Sequence, residues 1–73
     1  MDIGTKINEA RLSAQLTQEQ AAEQLGVSRQ TISNWENNKT YPDIISVIKM
    51  SDLYEVSLDR LLKDKEEPHM SNY

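Results

Sequence analysis

The stretch from Thr17 to Thr40, TQEQAAEQLGVSRQTISNWENNKT, constrains this chain more than any other, because it marks out two short helices with their own start and stop signals. Thr17 is followed three residues later by Gln20, the reciprocal capping pattern that satisfies two backbone donors at a helix start. Ala21, Ala22 and Leu25 then supply a narrow inner face of small and apolar groups. Gly26 stands where a helix most often ends in left-handed geometry, which glycine adopts without Cβ strain. Val27 turns inward, and Ser28 caps a second helix. Counting about 100° per residue from Ser28, Ile32 falls at about 40° and Trp35 at about 340°, and these two define an inward face. Arg29, Gln30, Ser33, Asn34 and Asn37 fall across roughly 100–240°, on the opposite side. All of them hydrogen-bond, and none is acidic.

Two helices joined by about three residues including a Gly form the helix-turn-helix arrangement, whose second helix enters the DNA major groove. Amide side chains can bond adenine edges in two places, and Arg can do the same for guanine. Ordinary solvated helix faces are rich in Glu and Lys. An arc of Arg, Gln, Asn and Ser suits a surface beside phosphates, where a carboxylate would be repelled. The alternative is a solvated face that happens to lack acids.

Residues 3 to about 63 resemble the phage-repressor and Cro-type (XRE-type) helix-turn-helix domain of bacterial and phage transcription regulators. The resemblance rests on Leu16-Thr17-Gln18-Glu19-Gln20-Ala21-Ala22, Leu25-Gly26-Val27-Ser28, Ile32-Ser33-Asn34-Trp35-Glu36 and Asn37-Asn38-Lys39-Thr40-Tyr41-Pro42, closed by Ser57-Leu58-Asp59-Arg60-Leu61-Leu62. It implies an all-α fold, a compact five-helix bundle like that of lambda repressor, with helices 2 and 3 as the helix-turn-helix. It also implies binding to double-stranded operator DNA, commonly as a two-fold homodimer, with no cofactor. Arg29, Gln30 and Asn34 are then the expected base readers, with Thr31 and Ser33 beside them. Phosphate contacts fall to Gln18 at the positive start of the second helix, to Asn37 and Lys39 at the far end of the third, and to Thr17, Ser28 and Thr40. One position departs from the pattern: Asn38 stands where the family often has Gly. Asn tolerates left-handed backbone better than most residues, so the loop geometry is expected to be kept.

A first helix over Ile3–Ala14 places Ile7, Ala10 and Ala14 on one stripe, with Arg11 among them. Either Arg11 snorkels to water, or it pairs with Glu36, whose angle of about 80° leans inward. The resemblance supports a partly buried Arg11–Glu36 bridge that fixes the reading helix. Pro42 and Asp43 suit the first turn of a fourth helix. Its Ile44, Ile45, Val47, Ile48, Met50, Leu53 and Tyr54 are the most hydrophobic segment, expected at the centre of the core. In a short last helix, Leu58, Leu61 and Leu62 read either as a dimer contact or as a lid on the core. Residues 1–64 are expected to form the DNA-binding domain, and 65–73 a polar frayed tail in which His69 is inert.

At 73 residues there is room for a single core. No Cys is present, which removes disulfides and thiolate chemistry and suits a cytoplasmic protein. Neither a bilayer-spanning run nor a signal-peptide pattern is visible, and no membrane or small-molecule partner is implied. With one His, no Cys and no Gly-rich phosphate loop, an enzyme is disfavoured and no metal site is expected. A net charge of −4 is unusual for a DNA binder. It implies a polarised surface, weak non-specific affinity, and greater reliance on base contacts and dimerisation. Two other readings remain: the antitoxin of a toxin–antitoxin pair, and a protein-interaction module that keeps the fold without DNA. An interaction module would show exposed apolar groups on the arc, where this chain shows amides, Ser and Arg.

Overall fold

The computed structural model describes residues 2–63, and the expected tail at 65–73 with His69 lies outside the described residues. Within them are five helices and no strand: α1 (Ile3–Ser13), α2 (Gln18–Leu25), α3 (Arg29–Glu36), α4 (Ile44–Tyr54) and α5 (Leu58–Leu62). The fold is all-α, as the sequence implies.

Side-chain caps start four of the five. The Asp2 carboxylate accepts from Thr5 N–H at 3.0 Å. Thr17 and Gln20 close a full capping box at 3.0 and 2.9 Å. Ser28 and Ser57 each accept from the backbone three residues on, at 3.1 Å. The helix ends share one device as well. Gln15, Gly26, Asn38 and Glu55 all have left-handed backbone. After each, the next N–H reaches back to a carbonyl of the last turn: Leu16 to Arg11, Val27 to Ala22, Lys39 to Asn34 and Val56 to Ser51. That is the Schellman closure. Leu16, Val27 and Val56 then turn in against the core, which fixes three of these ends by packing. As a result α1 stops at Ser13, one residue short of the sequence expectation.

Ile7, Ile32, Met50 and Leu61 are fully buried, so α1, α3, α4 and α5 each send one large side chain to the centre. α2 contributes Ala21, Ala22 and Leu25, and the small alanines let it lie close against α3.

One expectation about the apolar residues is corrected, and a second is narrowed. On α4, Val47, Met50 and Tyr54 are buried, but Ile44, Ile45 and Ile48 are 59%, 56% and 42% exposed, and Tyr41 just before them is 67% exposed. A helix packed on one side has one inward stripe, and the three isoleucines lie roughly 90–170° away from its centre. On α5, Leu61 is wholly enclosed and Leu62 is half-buried against the core, leaving Leu58 as the exposed leucine. Of the two readings of α5, the burial of Leu61 fits the lid on the core, and Leu58 is the leucine it leaves on the surface.

Candidate nucleic-acid interface

Glu36, the last residue of α3, anchors the helix that carries the polar arc. Its carboxylate accepts four hydrogen bonds: from Arg11 Nε at 2.7 Å, Arg11 Nη2 at 3.2 Å, Asn8 Nδ2 at 2.9 Å and Gln18 Nε2 at 3.0 Å. Arg11 spends a further donor, Nη1, on the Leu16 carbonyl at 2.8 Å. Burial alone would push the Glu36 carboxyl up, but the bonds from Arg11, Gln18 and Asn8, with the Arg11 charge, outweigh it and hold it below its ordinary value. Arg11 is correspondingly held more firmly protonated, chiefly by its bond to Glu36. One carboxylate thus joins α3 to α1 and α2, and the acid that α3 itself carries is buried and ion-paired.

On the outer side of α3, Arg29 and Gln30 are exposed, and Ser33 and Asn34 half-exposed. They line one face and hydrogen-bond in separate pairs. Gln30 Nε2 donates to Asn34 Oδ1 at 3.1 Å. Asn37 Nδ2 donates to the Ser33 carbonyl at 2.9 Å and to its hydroxyl at 3.3 Å. Arg29 Nη1 donates to Gln18 Oε1 at 3.4 Å, a long contact. Asn37, Lys39 and Thr40 follow on an exposed loop.

Four residues have other engagements than those expected of them. The Gln18 side chain gives its donor to Glu36 and its carbonyl to Arg29, so what α2 offers outward at its start is backbone N–H. Thr31 sits back at the helix start, half-buried, its hydroxyl paired with that of Ser28 at 2.9 Å, outside the row. Ser28 and Thr17 both use their oxygens as caps while remaining exposed. Asn8, Gly4 and Asp2 were not singled out in the sequence. Asn8 lies three residues before Arg11, hence on the same helix face, which is the one signal that could have marked it.

No cluster of metal-binding side chains occurs among the described residues, and none of their helices is long and apolar enough to cross a membrane. A helix-turn-helix pair locked by a buried ion pair, with an acid-free polar row facing out, defines a domain of the DNA-binding class. A helix-turn-helix family model matches residues 7–61, and the chain belongs to this family, in its XRE-type branch. The HTH-type transcriptional activator BcrR of Enterococcus faecalis is 44% identical over 66 residues, covering 90% of this chain and 32% of BcrR. The HTH-type transcriptional regulator ImmR of Bacillus subtilis (strain 168) is 42% identical over 62 residues, covering 85% of this chain and 49% of ImmR. The chain thus spans about a third and about half of these relatives' lengths. Among solved structures, the P22 c2 repressor in complex with a synthetic operator superposes with a TM-score of 0.79 at 30% identity, over 86% of this chain and 96% of that one. The domain has the fold of DNA-binding transcriptional regulators.

Proposed function

We propose that this domain is a sequence-specific transcriptional regulator, acting in the cytoplasm as a repressor, that reads an inverted-repeat operator through the major groove with α3 as a homodimer. The acid-free row on α3, held at one angle by Glu36, carries the reading. Arg29 and Gln30 lie at the start of α3, where a reading helix goes deepest into the groove, and Asn34 one turn on extends the row. Asn37, Lys39 and Thr40, with the backbone at the start of α2, take the phosphates. Gln18 steadies Arg29 while itself held by Glu36. The P22 c2 repressor's complex with an operator supports this reading. BcrR is named an activator, so a promoter–reporter assay with and without the protein decides the sign of regulation.

The dimer contact is assigned to the exposed face of Tyr41, Ile44, Ile45 and Ile48 in place of α5. That face begins two residues after Lys39 on the same connection, so a second copy seated there ties the two reading helices together. Half-sites then lie about 34–36 Å apart, one turn of B-DNA.

Selection from a pool of random duplexes returns the half-site, its symmetry and its spacing. Variants are then measured against single base-pair changes in that operator. Arg29→Ala or Gln30→Ala should lose about 1–3 kcal/mol and relax preference at one base pair, whereas Lys39→Ala should weaken all sites alike. A Gln30→Ala protein weakened equally on every site would remove Gln30 from the readers. Light scattering that gives a monomer even on the operator would remove the dimer.

A further inference from the structure

The loop leaving α3 is tied to the first turn of α1 by a single side chain. Asn38, at φ 60, accepts from the Gly4 N–H through Oδ1 at 3.0 Å and donates through Nδ2 to Asp2 Oδ1 at 2.7 Å. Asp2 is also the cap of α1, accepting from the Thr5 N–H at 3.0 Å and the Thr5 hydroxyl at 2.6 Å. The Thr5 hydroxyl first, then the Thr5 backbone and Asn38, hold its carboxyl down at about 2, so the arrangement stays charged at any ordinary pH. Gly4 completes the contact by close approach: a Cβ there would lie 2.6 Å from the Glu36 carbonyl oxygen and 2.8 Å from that of Trp35.

None of this is needed to end α3. The closing bond from Lys39 N–H to the Asn34 carbonyl uses backbone alone, and glycine would adopt the left-handed position with less strain. The Asn38 side chain is therefore surplus to helix termination, and both of its bonds reach residues more than thirty positions away. What they fix is the placement of 37–40 relative to α1.

We propose that Asn38 is a positioning residue for DNA anchoring: by clasping Asp2 and Gly4 it holds the loop of Asn37, Lys39 and Thr40 in place, so that operator affinity depends on Asp2 and Asn38 although neither touches DNA. This rests on the reading of that face as the DNA-binding one. Ordering the loop before binding removes a conformational cost that would otherwise fall on association. The clasp also reverses a simple electrostatic expectation. Asp2 is an acid beside a loop assigned to phosphates, so charge alone says that its removal strengthens binding, whereas the clasp requires that it weaken binding.

The test uses the full chain and the operator selected with the unaltered protein. Asn38→Gly keeps the backbone geometry and removes the clasp. It should retain its helical circular dichroism and its base preferences, bind about tenfold more weakly, and lose order at 37–40 and exchange protection at the Gly4 amide. Asp2→Ala should weaken binding as well, and the double variant should bind no more weakly than the worse single one by more than about twofold. Asn38→Gly bound as tightly as the unaltered protein, or Asp2→Ala bound more tightly, overturns the clasp while DNA recognition stands. Failure of the unaltered protein to select any duplex overturns both.

Discussion

Removing Glu36 should cost the fold more than removing Arg11, although the two side chains form one ion pair. Their side chains are 4% and 9% exposed, and Arg11 Nε lies 2.7 Å from Glu36 Oε2. Breaking such a buried pair from one side costs about 3–5 kcal/mol, because the remaining charge is stranded. The two deletions strand different groups. Arg11→Ala leaves a carboxylate that keeps its donors from Asn8 and Gln18, so a loss of about 3 kcal/mol is expected. Glu36→Ala leaves a guanidinium whose remaining bond is to the Leu16 carbonyl, and it also leaves the amides of Asn8 and Gln18 without their acceptor. Its loss should reach about 5 kcal/mol. Removing both strands no charge. Asn8 and Gln18 are half-exposed and can turn to water, so the double variant should lose about 5 kcal/mol, not the sum of about 8, a coupling near 3 kcal/mol. Losses of this size consume most of the stability of a small domain, so urea melts are run in trimethylamine oxide, which strengthens the folded state of every variant alike. Equal losses for the two single variants would refute the hub geometry. Additive losses would refute the pair.

Gly4→Ala should destabilise by about 2 kcal/mol despite alanine's better helix propensity, because the new Cβ meets the carbonyls of Glu36 and Trp35, and backbone cannot yield as a side chain would. A urea melt at or above the unaltered protein's stability would contradict that contact. The Tyr54 hydroxyl is buried without a partner among the described residues, and burial, then the Glu36 charge, pushes it up to about 12. Tyr54→Phe should therefore gain about 1 kcal/mol and raise Tm by roughly 4–8 °C, and a fall would mean the hydroxyl is bonded. Because Glu36 is held below its ordinary value of 4.5 when folded, its stabilisation is complete above that pH and is lost as pH falls through the lowered value. Glu36→Gln, though weaker at neutral pH, should show a flatter decline in urea melts as pH falls below 4.5, and an unchanged slope would place the acid sensitivity elsewhere.

The sequence was most legible where a residue type has few structural uses. Gly26 announced the end of α2, and Thr17 with Gln20 announced its start. Gln15, Asn38 and Glu55 hold the same left-handed position as Gly26 and were silent or only half-read. Gln and Glu reach that backbone only because a following Leu16 or Val56 packs inward, a tertiary effect with no local signature. The inward stripe of α4 was hidden for a different reason. With apolar residues at 44, 45, 47, 48, 50, 53 and 54, the segment is nearly apolar all round, and periodicity cannot say which third faces the core. Arg11 stood out because a charge in an apolar stripe must be explained. Asn8 and Gln18, which complete the same hub, look like ordinary solvated polar residues until their partner is seen.

A chain of net charge −4 that binds DNA makes a quantitative demand on salt dependence. The acid that α3 carries, Glu36, is buried and neutralised, but that neutralisation also takes Arg11 out of circulation. On the arc and the loop after it, the cations left are Arg29 and Lys39, and the remaining donors there are neutral amides and hydroxyls. Neutral donors bond phosphates and bases without displacing condensed counterions. The proposed homodimer would bring about four charges to the duplex, so log Kobs should fall with log salt at a slope of about −2 to −4. Titrations of the selected operator at several salt concentrations measure this directly, and Lys39→Ala should reduce the slope by about 2 for the dimer. A slope steeper than about −6 would mean that cations elsewhere on the chain reach the backbone. The proposed docking of α3, with neutral side chains carrying most of the contact, would then be wrong.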